Sequence, residues 1–332
     1  MKGQIMAKVD IVVPCYRYGC FLPECIDSIL SQSLHDFRVL IIDDASPDDS
    51  AEVARRLGRS DPRVEVIVHP VNRGHIATYN EGIEWASSPY FLSLSADDFL
   101  APGALQRAAD IMDARPDVVL TYGACIEIHS GEPVPVPQTP PGGDAFTVRP
   151  GPEFIAETCD TIRNNVPTPT AIVRTSVQKA IGGYIPALYH SGDMEMWMRF
   201  AAHGSVAVTP AVQAFYRLHG NNMSTGVYKK VLEDYLQRQA AFDTFFDRDS
   251  ARVPGAGGLR RLASRRLGDA AYWTGVAQLS RGNKTIGREL LGYARGLNPD
   301  TRYWPPFGHL RHLSRPDRRA VAAISDFVRR AR

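Results

Sequence analysis

Asp97 and Asp98 stand side by side at the end of an apolar run, FLSLSADDFL (91–100). Adjacent carboxylates repel each other, and burying either one unpaired is costly. Such a pair is either a solvated strand end or a site for a hard cation. Mg²⁺ or Mn²⁺ held there would bind phosphate oxygens and neutralise a departing diphosphate. A second acidic pair, Asp43–Asp44, closes FRVLIIDD (37–44). Asp193, just before MEMWMRF, reads either as a helix N-cap or as a general base that takes a proton from an attacking hydroxyl. Glu195 competes for that role from a different face of the same helix. His219, in YRLHGNNMS, is either a ligand or a surface histidine, and Arg73, in NRG, is either a ligand contact or a solvated loop charge.

These residues need elements to bring them together. The first half of the chain alternates strand-like and helix-like text. Strands are expected at 9–14, 37–44, 63–70, 89–95 and 117–128. Helices are expected at 21–33, 49–58, 75–86 and 102–115, the last with Pro102 at its first position and Ala101 as its cap. Strand–helix repetition with apolar strands predicts a mainly parallel sheet covered on both faces, with ligands bound beyond the carboxyl ends of the strands. Both acidic pairs fall at such ends. The Pro/Gly-rich stretch 130–144 reads as an extended loop. Short helices are expected at 175–184 and 192–204, and a last strand at 206–218. From about 228 onward the text is helical, interrupted by a loop at 252–259. PGAGG (254–258) follows no strand and lacks the G-x-G-x-x-G spacing, so it reads as a linker and not a dinucleotide loop.

A chain of 332 residues with 44% hydrophobic and 22% charged residues has the composition of an ordinary globular protein of roughly two domains. It contains no apolar run long enough for a membrane span, and its start carries no apolar secretory segment. The five cysteines form no C-x-x-C pair, which fits a reducing, cytoplasmic setting and neither a disulfide framework nor a zinc site. The net charge of +2 is unevenly spread: residues 251–332 hold 17 Lys+Arg against 5 Asp+Glu, and the remainder 21 against 31. The basic end therefore suits an anionic partner.

Five segments occur in one order: IVVPCYRYGCFLPECIDSILSQSLHDFRVLIIDDASPDDS, NRGHIATYNEGIEWA, SLSADDFLAPGAL, GGYIPALYHSGDMEMWMRF and YRLHGNNMS. Together they resemble the family-2 inverting glycosyltransferases of the GT-A fold, over roughly residues 8–225. The resemblance implies a metal-dependent, hexosyltransferase-type enzyme with a nucleotide-sugar donor, UDP-linked, and a divalent Mn or Mg cofactor. It makes Asp44 the reader of the nucleobase edge, with Pro14 and Tyr16 supporting base and ribose and Arg73 near the nucleotide. Asp97 falls at the ribose carboxylate and Asp98 at the metal. Asp193 falls at the general base and His219 near the diphosphate or metal. Four positions depart from the family pattern. Arg17 stands where Asn is usual, Ser95 replaces the first acid of the D-x-D-D run, Gly192 replaces a Glu, and Tyr79 replaces an Arg.

The expected organisation is a GT-A domain over 1–226, with a nucleotide-binding part 8–98 and an acceptor-side part 99–226, and a basic helical C-terminal region over 227–332. The implied acceptor is a hydroxyl of a saccharide or lipid-linked molecule, as in bacterial cell-surface polysaccharide synthesis. The amphipathic RRAVAAISDFVRRAR (318–332) suits an anionic membrane surface, which would make the protein peripheral on the inner face of a membrane. Nucleic acid is disfavoured as a partner, because aromatic and basic residues are not interleaved. A catalytically degenerate nucleotide-sugar-binding protein and a sugar nucleotidyltransferase are the alternative readings. The latter would need a Gly-rich, basic phosphate loop after the first strand, and PCYRYGCF offers none.

Overall fold

The computed structural model describes residues 7–138, 140, 143–220, 222 and 231–308. Its contacts divide it into two compact units: residues 1–154 with 164–222, and residues 155–163 with 223–332. The amphipathic segment 318–332 lies outside the described residues.

The first unit is built on one sheet in the order β3-β2-β1-β4-β8-β6-β9-β5, with β7 beside β9. Strands β1 (Val9–Cys15), β2 (Phe37–Asp43), β3 (Val64–Val68) and β4 (Tyr90–Ser93) run parallel. β8 (Ile172–Arg174) then reverses direction between β4 and β6 (Val118–His129). β9 (Ser205–Leu218) runs parallel to β6 and antiparallel to β5 (Phe99–Leu100) and β7 (Thr147–Arg149). β5, β7 and β8 are two or three residues long, too short for a sequence pattern to show.

Strand alternation sorts the helices. Val9, Ile11 and Val13, with Val39 and Ile41, meet the apolar stripes of α1 (Leu22–Leu30), α2 (Ser50–Ser60) and α4 (Ala104–Ala114) on one face. Val12 points the other way, into α3 (His75–Trp85). There Gly82 is required by space, since a Cβ on it would lie 2.4 Å from Val12 Cγ1. α4 begins two residues later than Pro102 suggested: Gly103 takes a left-handed φ of 75° and precedes it, so Ala101 is not the cap. Ala101 instead donates its N–H to Gln213 on β9. α6 (Thr175–Ile181) and α7 (Gly192–Ala201) follow, as the apolar spacing suggested.

α5 (Gly151–Thr161) runs from the first unit into the second. The second unit also holds α8 (Val231–Asp249), α9 (Ala256–Ser280) and α10 (Lys284–Leu297). The expected linker PGAGG is cut short, because α9 already starts at Ala256. Gly275 and Gly287 face each other across α9 and α10, and the two backbones approach closely there. Arg260 pairs with Asp243 and Asp247, and Arg266 with Asp160. Part of the basic surplus is therefore spent inside this unit. No helix among the described residues is long and apolar enough to cross a membrane.

Gly82→Ala pits two effects against each other. Helix propensity gains roughly 0.5–1 kcal/mol, whereas forcing a methyl into a filled contact costs about 1–3 kcal/mol. We expect net destabilisation in urea unfolding, and Gly82→Ala combined with Val12→Ala to cost less than the sum of the two single changes.

Candidate active site

The carboxyl ends of β1, β2 and β4 open on one edge of the sheet, and the acidic pairs sit there. After β4 the chain turns, with Asp98 N–H donating to Ser95 O at 3.0 Å, and enters β5. β5 pairs with β9 through Phe99 opposite Phe215, whose rings stack at 4.7 Å. That pairing carries the end of β9 back over the acidic turn. Arg217 fastens it: its backbone N–H donates to Asp98 Oδ1 at 3.0 Å and its Nε to Asp97 O at 3.0 Å. Its guanidinium lies between the Phe21 and Phe99 rings and pairs with Glu24.

Asp97 is fully engaged. Ser95 Oγ donates to Oδ1 at 2.5 Å, while His219 Nε2 and Asn222 Nδ2 meet Oδ2 at 3.1 and 3.3 Å. The serine in place of a third acid thus supplies a donor where another carboxylate would add repulsion. His219 is not a surface histidine. It stacks on Phe21 at 4.9 Å, lies edge-on to Tyr18, and meets Asp97 rather than Asp98. Asp98 is 3% exposed, and no described side chain bonds its Oδ2. Burial, and then the neighbouring Asp97 charge, push its carboxyl well above the usual range. A largely buried carboxylate with one oxygen not taken by a described side chain suits a hard cation. Among the described residues no three His, Cys, Asp or Glu side chains converge as ligands. A cation on Asp98 would therefore complete its shell with water and phosphate oxygens, as Mg²⁺ commonly does.

Asp44 follows β2 directly. Its Oδ1 accepts from Arg73 N at 2.8 Å and meets His69 Nδ1 at 2.7 Å, and its Oδ2 accepts from Gly74 N at 2.8 Å. Burial pushes this carboxyl up, but the His69 ring and the two amides outweigh it and hold it below the usual value. Arg73 thus reaches Asp44 through its backbone, while its guanidinium pairs with Glu81. Two residues in left-handed backbone shape the same edge: Arg17 (φ 64°), whose N–H donates to Ser46 Oγ, and Ala45 (φ 56°). Pro14 continues the β1 ladder opposite Ile42, and its carbonyl receives Ala96 N–H. The Tyr16 side chain is open, at 43% exposure.

Asp193 lies at the second position of α7, behind Ser191, which holds the cap position. Its side chain accepts from Thr168 Oγ1 at 2.9 Å and from the Tyr184 hydroxyl, so it is not the cap. Burial raises its carboxyl above the usual range, moderated first by those two hydrogen bonds and then by His75 and His190. Glu195 is fully buried, and its Oε2 meets both Nε and Nη2 of Arg199, which also binds the Ile181 and Gly183 carbonyls. It holds α7 in place and reaches no open edge.

The departures at 192 and 79 fit together here. A Cβ on Gly192 would lie 3.2 Å from the Tyr184 ring, so glycine gives that ring its seat. Tyr79 packs on Tyr184 at 5.4 Å and on His75 at 5.9 Å. Burial, and then the charges of Asp193, Asp97 and Asp98, push the Tyr79 phenol up, so this ring is within electrostatic reach of all three carboxylates. Asn80 fixes Tyr184 by exchanging backbone bonds of 2.7 and 3.0 Å.

Asp97, Asp98 and His219 therefore come together, Asp193 acts on the same Tyr79 ring as the two carboxylates, and Asp44 lies beside the β1–β2 edge. Sequence reading missed Arg217, Asn222, Thr168, Tyr184 and His69. Arg217 and Asn222 were in plain view in YRLHGNNMS. Thr168 lies in a short 3-10 turn (Thr168–Thr170) with no motif around it.

The model of the family described as glycosyl transferase family 2 matches residues 10–179. An uncharacterized glycosyltransferase of Bacillus subtilis, EpsJ, is 36% identical over 102 residues, covering 31% of this chain and 29% of EpsJ. The chain thus spans under a third of that relative's length. TarS 1–349 of S. aureus in complex with UDP shares the fold at a TM-score of 0.61 and 16% identity, over 98% of this chain and 92% of that one. The mannosyltransferase PcManGT of Pyrobaculum calidifontis, solved with GDP-Man and Mn²⁺, has a TM-score of 0.50 and 14% identity, over 96% and 86% of the two chains.

Arg217→Met should cost about 2–3 kcal/mol of unfolding free energy in denaturant titration, the scale of losing hydrogen bonds from a charged group. Arg217→Lys should recover only part of it, because one ammonium cannot span Asp97 O and Glu24 as the planar guanidinium does.

Proposed function

The chain belongs to glycosyl transferase family 2 and carries the GT-A fold, and from that premise we propose that it moves a sugar, with inversion, from a UDP-linked donor to a hydroxyl of a saccharide or lipid-linked acceptor. The observation that supports this reading is that a base-like carboxylate, Asp193, and the buried Asp97–Asp98 pair all act electrostatically on one ring, Tyr79. An inverting transfer needs both kinds of group, a base for the attacking hydroxyl and a carboxylate that can hold positive charge at the departing diphosphate.

In this reading Asp193 accepts the acceptor's proton on the carboxylate that Thr168 and Tyr184 orient. A raised carboxyl makes it a stronger base than a solvated aspartate. Asp44, held ionised by His69 and two amides, offers Oδ2 to a base N–H, and the open Tyr16 ring offers a face for stacking. Asp98 would hold a divalent cation, which supplies positive charge at the departing diphosphate; Mn²⁺ in PcManGT and UDP in TarS support this choice. Asp97 fixes His219 and Asn222 around that corner. The acceptor is met at the inner face of a membrane, which the basic C-terminal region suits.

Asp193→Asn should lower kcat by about 10²–10⁴-fold. Because the fold disfavours its charged form, this aspartate weakens the fold as pH rises from the usual carboxylate pKa to its raised one. The asparagine variant should then melt no lower than the parent at neutral pH. In the parent, kcat should fall with acid at a pH above the usual carboxylate value of 3.8. A near-normal rate in the variant would remove Asp193 from this role.

A thermal-shift screen of nucleoside diphosphates should show UDP raising the melting temperature more with Mn²⁺ than without. Asp98→Asn should erase the Mn²⁺ increment. Equal shifts with and without the ion would argue against the metal.

A further inference from the structure

The described end of the second unit exposes an aromatic cluster: Tyr303 is 80% exposed, Trp304 70% and Phe307 48%. Singly exposed aromatics are ordinary, but three within five residues form a patch. The cluster is built rather than splayed. Trp304 lies edge-on to Phe307 at 6.1 Å, Phe307 packs on Trp273 at 5.8 Å, and Trp273 Nε1 donates to Pro306 O at 3.4 Å. A 3-10 turn (Pro299–Arg302) leads into it, with the Tyr303 and Trp304 amides both donating to Asp300 O.

Two described arginines flank this patch. Arg302 lies over the Tyr303 ring at 5.6 Å. Arg265 shares a shallow cleft of about 350 Å³ with Tyr303, Trp304 and Pro305, and Asp300 is the one acid on its rim. In the sequence, the 24 residues that follow, 309–332, hold seven Arg and two Asp. Exposed Trp and Tyr beside guanidinium groups match the headgroup layer of a bilayer, where amphipathic rings settle and cations meet lipid phosphates. A soluble saccharide would also stack on Trp304, but it would leave the Arg265 and Arg302 guanidiniums without an anionic counterpart from the ligand.

We propose that Tyr303, Trp304 and Phe307, flanked by Arg265 and Arg302, form a docking surface for an anionic lipid bilayer. This deepens the proposed function, and rests on it only for what the membrane would present. Vesicle binding needs no turnover, so a failed activity assay and a failed docking assay are distinguishable.

The test uses the full chain with vesicles of phosphatidylcholine, with or without about 30 mol % phosphatidylglycerol. The protein should sediment with the anionic vesicles and be released by salt. Its tryptophan emission should shift to the blue and be quenched by brominated lipid. Tyr303→Ser with Trp304→Ser changes only exposed rings, so folding should survive, as a melting curve will verify. This variant should bind about tenfold more weakly and lose most of the quenching. Any of three outcomes overturns the proposal: no sedimentation with anionic vesicles, unchanged binding by the variant, or Trp304 emission that responds to added oligosaccharide and not to lipid.

Discussion

The pairing of a two-residue strand, β5, with the end of β9 is the constraint on which the site depends. Phe99 stacked on Phe215 brings the Ser95–Asp98 turn within reach of Arg217, His219 and Asn222, whose hydrogen bonds then fasten it. The paired residues, Phe99 with Phe215 and Leu100 with Ala214, lie more than 110 positions apart in sequence, so closing that loop costs conformational entropy that the filled interface offsets. Arg217 is central to it. Its backbone serves Asp98, its side chain serves Asp97, and two aromatic faces cover its guanidinium.

Three carboxylates within electrostatic reach of one ring would be costly if treated alike. They are treated differently. Asp97 receives donors on both oxygens, Asp98 is buried with one oxygen not taken by a described side chain, and Asp193 is raised but steadied by two hydroxyls. Asp44 is the opposite case, with its charge favoured by His69 and two amides. Unlike environments around like groups allow one site to bind a nucleotide, hold a cation and accept a proton.

The family departures concentrate where these environments differ. Ser95 trades a charge for a donor to Asp97. Gly192 and Tyr79 are linked through Tyr184, whose ring fits because residue 192 has no side chain. An aromatic wall thus stands beside Asp193 where the family pattern has a glutamate and an arginine. Of the acidic pair Asp97 is the better anchored, because Ser95, His219 and Asn222 all meet its carboxylate.

By itself the sequence determined the parallel half of the sheet, because apolar runs such as VDIVVP and FRVLIID bury on both faces and leave a strong local pattern. It also determined the kinds of chemistry available, since acids at strand ends are visible as residue types. It was silent on β5, β7 and β8, which are too short to carry a period. It mistook Pro102 for a helix start, because the left-handed turn at Gly103 was not weighed. Only the tertiary structure decided that Glu195 is spent on Arg199, that His219 belongs to Asp97, and that Arg217 closes the turn. Those are choices among partners far apart in the chain. The physical reason is that local periodicity reports which face a residue turns inward, whereas the pairing of charges depends on which distant segments the fold packs against one another.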